Sequence, residues 1–365
     1  MEDLTTSYGV ALGKDKYGGR GLFAERDFSF GEIVFKSSAA ACTLHRKHYP
    51  LFCMNCHAFS ENLSLPMPVS CSKCETTYYC SESCAREDLP IHHAHCNLLP
   101  VIEADQNLKK EETSLVRMLF RMLAKSALHS SSPVEIAPNS VPTATSKHVA
   151  LMIKDHKNIT GYSRRKKQRK TAAQAFVALL PNDGVKCKTC LSADLVEGTS
   201  MSSRLLSLDE QISVCKMNFR HPTIVEDLLA GGPLNEFALF DFDGEAVGCG
   251  FFPGAGLINH SCAPSLSVQM EGRNLCFYAT CSITTGEELT QSYCNIDGEG
   301  RQNRQETLKS SWGFSCCCRR CMDVNMSDFD IVNLCPCRAI QVPFERRGSR
   351  VDSECQCNCF NLVHS

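Results

Sequence analysis

Eight potential metal ligands are concentrated between residues 53 and 96. They form pairs whose members are three or four residues apart: Cys53 and Cys56, Cys71 and Cys74, Cys80 and Cys84, and His92 and Cys96. Seven thiols and one imidazole make two tetrahedral sites of four ligands each, which is the coordination that structural zinc prefers. Cysteines scattered through a core would not have this regular spacing. The segment therefore predicts two zinc ions.

Two kinds of local structure can present such pairs. A tight turn presents two sulfurs three residues apart, and a helix places residues four apart on one face. We therefore expect Cys80 with Cys84, and His92 with Cys96, to lie on helices. His93 and His95 compete with His92 as the ligand, and only the spacing favours His92. A segment this short, with few large apolar residues, needs metal to fold.

The segment resembles the MYND zinc finger, on Tyr78-Tyr79-Cys80 and on the spacing from Cys84 to His92 and Cys96. The resemblance implies interleaved sites, with one zinc on Cys53, Cys56, Cys80 and Cys84 and the other on Cys71, Cys74, His92 and Cys96. It also implies a protein-interaction module, often one for proline-rich peptides.

A second group of chemically capable residues lies in the C-terminal half. Short strand-like segments lead to Asn259-His260-Ser261-Cys262, and Gly286-Glu287-Glu288-Leu289 then precedes Tyr293. Cys316, Cys318 and Cys321 follow. In this order the motifs resemble the core and post-SET cluster of SET methyltransferases. With the finger inserted early, the chain resembles the SET-and-MYND family of protein-lysine methyltransferases.

The resemblance implies methyl transfer from S-adenosyl-L-methionine to a lysine amine. Such a displacement requires alignment and electrostatic preorganisation rather than a metal or a covalent nucleophile. Tyr293 is the predicted catalytic residue, and a packed strand tyrosine is its alternative reading. The residues implied to bind the cofactor are Arg20, Asn235, Asn259, His260, Tyr293 and Phe314. For Phe314, which would pack on the adenine, a plain core role stays open.

A third zinc is implied for the post-SET cluster. Cys316, Cys318 and Cys321 cannot complete a structural site alone, and Cys262 would supply the fourth thiolate. Cys317 is the competing candidate. The cysteines of the tail could hold one more zinc or be reactive thiols; they are Cys335, Cys337, Cys355, Cys357 and Cys359. The pair Cys187 and Cys190 receives no role.

The predicted fold is α+β: a SET-domain β-fold of short curved sheets with an inserted MYND zinc finger, a helical insert and a post-SET zinc cluster. No βαβ alternation favours a parallel sheet. The expected domains are the N-terminal SET part 5–50, the finger 53–96, the helical insert 97–233 with a Ser/Pro-rich loop 130–148, the C-terminal SET core 234–295, the post-SET cluster 296–322 and a Cys-rich tail 323–365.

Composition excludes several classes. The 365 residues are 43% hydrophobic and 21% charged, which is typical of a globular protein and not of disorder. The net charge of −2 argues against direct DNA binding. No apolar run reaches the roughly 18 residues of a membrane helix, and the first ten residues predict no secretory signal. The 25 cysteines then indicate reduced thiols, many of them on metal.

The expected function is protein-lysine N-methylation of histone or other lysines, with the finger binding protein partners and a role in chromatin regulation. The alternative is a zinc-dependent adaptor or transcriptional co-regulator with a weak or inactive SET core. We expect no membrane partner. The basic run 164–170 is either a nuclear-import signal, a nucleic-acid patch or a solvated helix face. The expected location is nucleus and cytoplasm.

Overall fold

The computed structural model describes residues 8–17, 19–60, 65–131, 166–180, 225–226, 229, 236–240, 246–296, 299–322, 333–334 and 340–341. The strands are β1 Val10–Lys14, β2 Arg20–Ala24, β3 Ile33–Ser38, β4 Ala41–Leu44, β5 Val69–Ser70, β6 Tyr78–Tyr79, β7 Glu236–Phe240, β8 Ala246–Phe251, β9 Asn259–His260, β10 Leu266–Glu271, β11 Asn274–Ala279, β12 Glu288–Gln291, β13 Asn333–Leu334 and β14 Ile340–Gln341. The helices are α1 Glu82–His92, α2 Leu99–Ala104, α3 Lys110–Ser131, α4 Lys166–Leu179, α5 Arg301–Trp312 and α6 Arg319–Met322.

Several predicted features lie outside the described residues: Asn235, the Cys187 and Cys190 pair, the five tail cysteines and most of the loop 130–148. Helix α3 continues to Ser131, so the first two residues assigned to that loop are helical. Within the basic run, the residues from Lys166 onward begin helix α4. Among the described residues, no helix is both long enough and apolar enough to cross a membrane.

Short sheets and separate helices make up the fold, which confirms the α+β prediction. The sheets contain two to four strands, and most neighbouring strands are antiparallel. The chain divides into two compact units. One includes residues 1–38 and 254–365, and the other includes 39–157 and 165–253. The predicted domain boundaries stay predictions.

In the first unit, a four-stranded sheet in the order β1-β2-β12-β9 brings distant segments side by side. Strand β2 pairs antiparallel with β12, and β12 pairs parallel with β9, so that Thr290 lies opposite Asn259 and Gln291 opposite His260. This parallel step joins the two sequence motifs predicted to form the active site. A second sheet, β10-β11-β3, belongs to the same unit.

In the second unit, helix α3 packs on strand β4 of the sheet β4-β8-β7 and on helix α4. Apolar residues at helical spacing on α3 face inward, as their periodicity predicts, and the ring of Phe120 packs against that of Phe176 with centroids 4.6 Å apart. The finger contributes the hairpin β5-β6 and helix α1. Its own small core is Cys53, Met54, Met67 and Tyr79.

The local structure of the finger differs from the prediction at two pairs. Ser81 caps helix α1, and its side chain accepts a hydrogen bond from the amide of Cys84 at 3.2 Å. Cys80 therefore precedes the helix and lies just after β6. His92 ends α1, and Cys96 begins a short 3-10 helix. A serine N-cap stops helical propagation toward Cys80, which the spacing argument overlooked.

Candidate active site and metal centres

The side chain of Asn259 is held by three elements of the first unit. Its amide nitrogen donates to the carbonyl of Arg20 at 2.7 Å and to Oε1 of Glu288 at 2.9 Å. Oδ2 of Asp15 is a more distant acceptor at 3.4 Å. These contacts fix the amide plane, and the structure gives Oδ1 no partner among the described residues. One acceptor of a half-buried side chain is therefore available to a ligand.

Strand β2 approaches this group closely at Gly21. A methyl group there would lie 2.9 Å from Oε1 of Glu288 and 3.0 Å from Nδ2 of Asn259. The preceding hairpin is closed by Asp15, whose Oδ1 accepts from the amides of Tyr17 and Gly19, each at 2.8 Å. Glycine at position 21 thus allows strand β2 to pack closely against the side chains of Glu288 and Asn259.

The imidazole of His260 has partners at both nitrogens. Nδ1 accepts from the amide of Tyr293 at 3.0 Å, which places the ring hydrogen on Nε2, 3.2 Å from Sγ of Cys262. Burial lowers the pKa of His260 to about 4, so the ring is neutral at physiological pH. His260 therefore connects the active-site strand with the post-SET thiols.

Tyr293 lies at the centre of an aromatic group. Its hydroxyl donates to the carbonyl of Ile258 at 2.7 Å. Its ring centroid is 5.5 Å from that of Trp312, 5.3 Å from that of His260 and 6.5 Å from that of Phe314. Burial raises the pKa of the phenol well above its usual value. The hydroxyl thus stays protonated, and its oxygen can still accept a hydrogen bond.

Phe314 is brought to this group by a helix end. Gly313 adopts a φ of 78° at the end of α5, and its amide donates to Leu308 O and Lys309 O, as in a glycine C-cap. The reversal places the Phe314 ring 5.9 Å from His260. Phe314 is 36% exposed, so it lies at the edge of the site and not in the core. Its contact with a cofactor stays a prediction.

The structure brings Cys262, Cys316, Cys318 and Cys321 together, with their sulfurs within 4.8 Å of one another. Sγ of Cys262 lies 3.9 Å from that of Cys316 and 3.5 Å from that of Cys321. Sulfurs bound tetrahedrally at about 2.3 Å from zinc are about 3.8 Å apart. Cys317 lies elsewhere, with its thiol against the hydroxyl of Tyr17. The arrangement suits zinc. The fold brings Cys262 next to Cys316 although the two residues are 54 positions apart in the sequence.

The eight ligands of the finger also form two groups. One contains Cys53, Cys56, Cys80 and Cys84, and the other contains Cys71, Cys74, His92 and Cys96. Sulfur separations of 3.5–3.7 Å in both groups match the tetrahedral spacing. His92, through Nε2, is the histidine that reaches the second group, 3.8 Å from Sγ of Cys74. His95 instead stacks on Phe120.

Comparison with known proteins gives the family. A family model described as the SET domain matches residues 19–294. The chain belongs to the SET domain family. The matched range contains strands β2, β12 and β9 of the four-stranded sheet and the inserted finger. It also contains Asn259, His260 and Tyr293.

The relatives carry SET-and-MYND names. The N-lysine methyltransferase SMYD2 of Mus musculus is 27% identical over 306 residues, which cover 83% of this chain and 58% of the mouse protein. A SET and MYND domain-containing protein of Dictyostelium discoideum is 23% identical over 333 residues, covering 86% of this chain and 81% of its own length. The chain thus spans 58% of the length of mouse SMYD2, and the resemblance to the SET-and-MYND proteins is confirmed.

Among solved structures, the SET domain of LSMT bound to lysine and AdoHcy aligns over 86% of this chain and 54% of that chain. The sequence identity is 13% and the TM-score is 0.33. This likeness is too low to support an argument.

Sequence reasoning missed four residues of the site. Glu288 is part of the Gly-Glu-Glu-Leu motif, and Asp15 lies three residues before the predicted glycine turn. Neither residue was assigned a role from the sequence alone. Arg304 and Arg320 are fully buried beside the post-SET thiols. Arginine occurs mostly on surfaces, so no pattern in the sequence marks these two.

Proposed function

We propose that this SET domain is an S-adenosylmethionine-dependent protein-lysine N-methyltransferase. The observation that carries the proposal is the joining of the Asn259-His260 strand to the strand before Tyr293 by parallel pairing. One small region thereby holds a fixed amide, a neutral imidazole and a protonated phenol. The SMYD2 relatives, which are named N-lysine methyltransferases, support the same reaction class.

The residues present fit the cofactor. Asn259 Oδ1 is an available acceptor, and the carboxylates of Asp15 and Glu288 lie beside it. This combination suits the ammonium group in the amino-acid part of S-adenosylmethionine. Arg20, Asn235 and Phe314 are further proposed contacts. The bound cofactor would supply an electrophilic methyl group on its sulfonium.

Tyr293 is the proposed catalytic residue, and it would also contact the cofactor. Because its hydroxyl donates to Ile258 O, the phenolic oxygen can accept an N–H from the substrate amine and orient the nitrogen lone pair. Its raised pKa keeps the phenol protonated at neutral pH, so its role is to position and polarise rather than to remove a proton. Trp312 and His260 pack beside the ring and keep it in place.

The test of this function is transfer of a labelled methyl group to lysine peptides, histone sequences included, by the zinc-loaded protein. Tyr293→Phe keeps the ring and removes the hydroxyl. We expect the rate to fall by about 10²-fold, as when one preorganised hydrogen-bonding group is lost, while cofactor binding is retained. Val268→Ala, at an exposed position in β10, is the control and should leave the rate unchanged. Equal rates for Tyr293→Phe and the wild type would contradict the role of the phenol.

The finger is proposed to bind protein partners, proline-rich peptides among them, while protein lysines, including those of histones, are the proposed substrates. Titration of a proline-rich peptide library against the chain, before and after zinc removal, tests whether the finger binds such partners. Binding that persists without zinc would contradict it.

We also propose a nuclear and cytoplasmic location, which imaging of a fluorescent fusion tests.

An adaptor without methyl transfer is the second candidate, and the ordered ligand groups of the finger favour it independently of the SET core. One comparison of variants distinguishes an adaptor from a methyltransferase. An adaptor keeps partner binding in both Asn259→Ala and Tyr293→Phe and shows no cofactor binding in the wild type.

A further inference from the structure

Two arginines are wholly buried next to the four-thiol group of Cys262, Cys316, Cys318 and Cys321. Arg304, on α5, is 0% exposed, and Arg320, on α6, is 2% exposed. The Arg304 guanidinium lies beside the thiols of Cys262 and Cys321. That of Arg320 lies close to Cys262, Cys318 and Cys321. Arginine is rarely buried without a paired anion.

The hydrogen bonds of the two arginines are incomplete. Nη1 of Arg304 donates to the carbonyl of Glu299 at 2.6 Å, and Nη1 of Arg320 donates to the carbonyls of Cys262 and Ile296, each at 3.1 Å. Nε and Nη2 of both arginines find no acceptor within the described residues. Neither arginine forms an ion pair with a carboxylate in that part of the chain.

Such an arrangement is unfavourable beside neutral thiols. A buried charge without a partner strongly destabilises a protein, and two guanidinium groups close together also repel each other. The arrangement becomes favourable beside an anion. Four thiolates and one Zn²⁺ carry a net charge of −2, which two guanidinium groups balance, and thiolate sulfur accepts N–H donors.

We propose that Arg304 and Arg320 neutralise the buried four-thiolate zinc site and thereby determine how firmly the post-SET zinc is held. They act as positioning residues, because they contact the ligands and not the reacting atoms. Arg320 also ties the zinc ligand Cys262 to the segment after Tyr293, through its bonds to Cys262 O and Ile296 O. This inference rests on zinc occupying these four cysteines and does not depend on methyl transfer.

The test measures zinc content and pulsed alkylation of cysteines in the full zinc-loaded chain, with each modified cysteine located by mass spectrometry. Arg304→Gln and Arg320→Gln remove the charge and keep most of the volume, whereas Arg304→Lys and Arg320→Lys keep the charge. Arg319→Gln, at the exposed neighbour on α6, is the matched control. The finger cysteines, which belong to the other unit, are the internal reference.

We expect the Gln variants to expose Cys316, Cys318 and Cys321 to alkylation about 10-fold faster, a typical effect of losing groups that support metal ligands. The Lys variants and Arg319→Gln should be alkylated at close to the wild-type rate, and the rate at the finger cysteines should not change.

Wild-type protection of the post-SET cysteines in the Gln variants overturns the proposal. Equally fast alkylation of these cysteines in the Lys and Gln variants also overturns it. If a Gln variant fails to fold, the matching Lys variant decides alone: protection supports the role of charge, and lability contradicts it. A wild type without zinc at these cysteines overturns the metal assignment on which the inference rests, whatever the methyltransferase assay shows.

Discussion

At the scale of single residues, the proposed active site depends on how a few polar atoms are used. Both hydrogens of the Asn259 amide are engaged by Arg20 O and Glu288, so the orientation of Oδ1 is set before any ligand arrives. The same logic applies to His260, whose two nitrogens have partners in the chain. Preorganised groups of this kind avoid reorganisation at the moment of reaction.

Gly21→Ala tests the close approach of β2 to this group. The added methyl would come within 3.0 Å of Glu288 and Asn259, so one of them must move. We expect cofactor affinity to fall at least tenfold, which corresponds to about 1.4 kcal/mol, with a small change in melting temperature. Calorimetric titration measures the affinity. Lys14→Ala, at an exposed position in the adjacent strand, is the control, and an equal loss there would contradict the explanation.

At the scale of secondary-structure elements, helix α1 carries two predicted ligands and joins the finger to helix α3. Asp88 on α1 is fully buried and accepts two hydrogen bonds from Arg121, at 2.7 and 3.1 Å, and one from Tyr79 at 2.9 Å. Arg121 also donates to Met54 O in the core of the finger. The finger is thus attached to the helical part of its own unit by a buried ion pair.

Arg121→Leu should leave the Asp88 carboxylate buried without its cation. Removing one partner of a buried pair typically costs about 3–5 kcal/mol, so we expect a large drop in the denaturant midpoint of this unit. Arg46→Leu is the matched control. Arg46 is exposed and pairs with Glu103 at 3.5 Å, so its loss should cost less than about 1 kcal/mol. Similar losses in both variants would argue against a structural role of the buried pair.

Ser81→Ala tests the N-cap of α1. Loss of the bond from the Cys84 amide should destabilise the helix by about 1 kcal/mol. Because Cys84 and His92 lie at opposite ends of α1, both finger zincs should then be released faster to a chelator. Ser83→Ala, at an exposed position two residues after Ser81, should have a smaller effect. Unchanged release in Ser81→Ala would show that metal binding alone fixes this helix.

Sequence patterns predicted the elements better than their ends. Repeated ligand spacing and the glycine-bounded apolar segments predicted the finger, the strands and the inward face of α3, because they depend on local periodicity. The predicted start of α1 was wrong, because the argument from the spacing of Cys80 and Cys84 did not consider the N-cap at Ser81. The roles of Arg304, Arg320 and Glu288 could not be predicted, because they depend on contacts between segments that only the fold brings together.

At the scale of the whole molecule, each of the two units contains candidate metal centres. One unit contains both finger groups, and the other contains the post-SET group around Cys262. The small hydrophobic cluster at the post-SET group consists of the four ligand cysteines together with Leu308, Tyr293, Cys294, Ile296 and Trp312. Zinc binding is therefore expected to contribute much of the folding free energy at these sites.

Zinc removal should show this contribution directly. A strong chelator at neutral pH is expected to cause loss of helical circular dichroism from α1 and alkylation of all eleven cysteines among the predicted zinc ligands. Readdition of Zn²⁺ should restore protection, and Mg²⁺, which prefers oxygen ligands, should not. Retention of structure and thiol protection after verified metal removal would contradict the structural role of zinc.

The central claim is that the region around Asn259 binds S-adenosylmethionine, and calorimetric titration of this cofactor into the zinc-loaded chain tests it without knowledge of the substrate. The account predicts saturable binding at micromolar concentration, weakened at least tenfold by Asn259→Ala and unchanged by Asn274→Ala, which lies in the other sheet of the same unit. No binding by folded, zinc-loaded wild type would contradict the account.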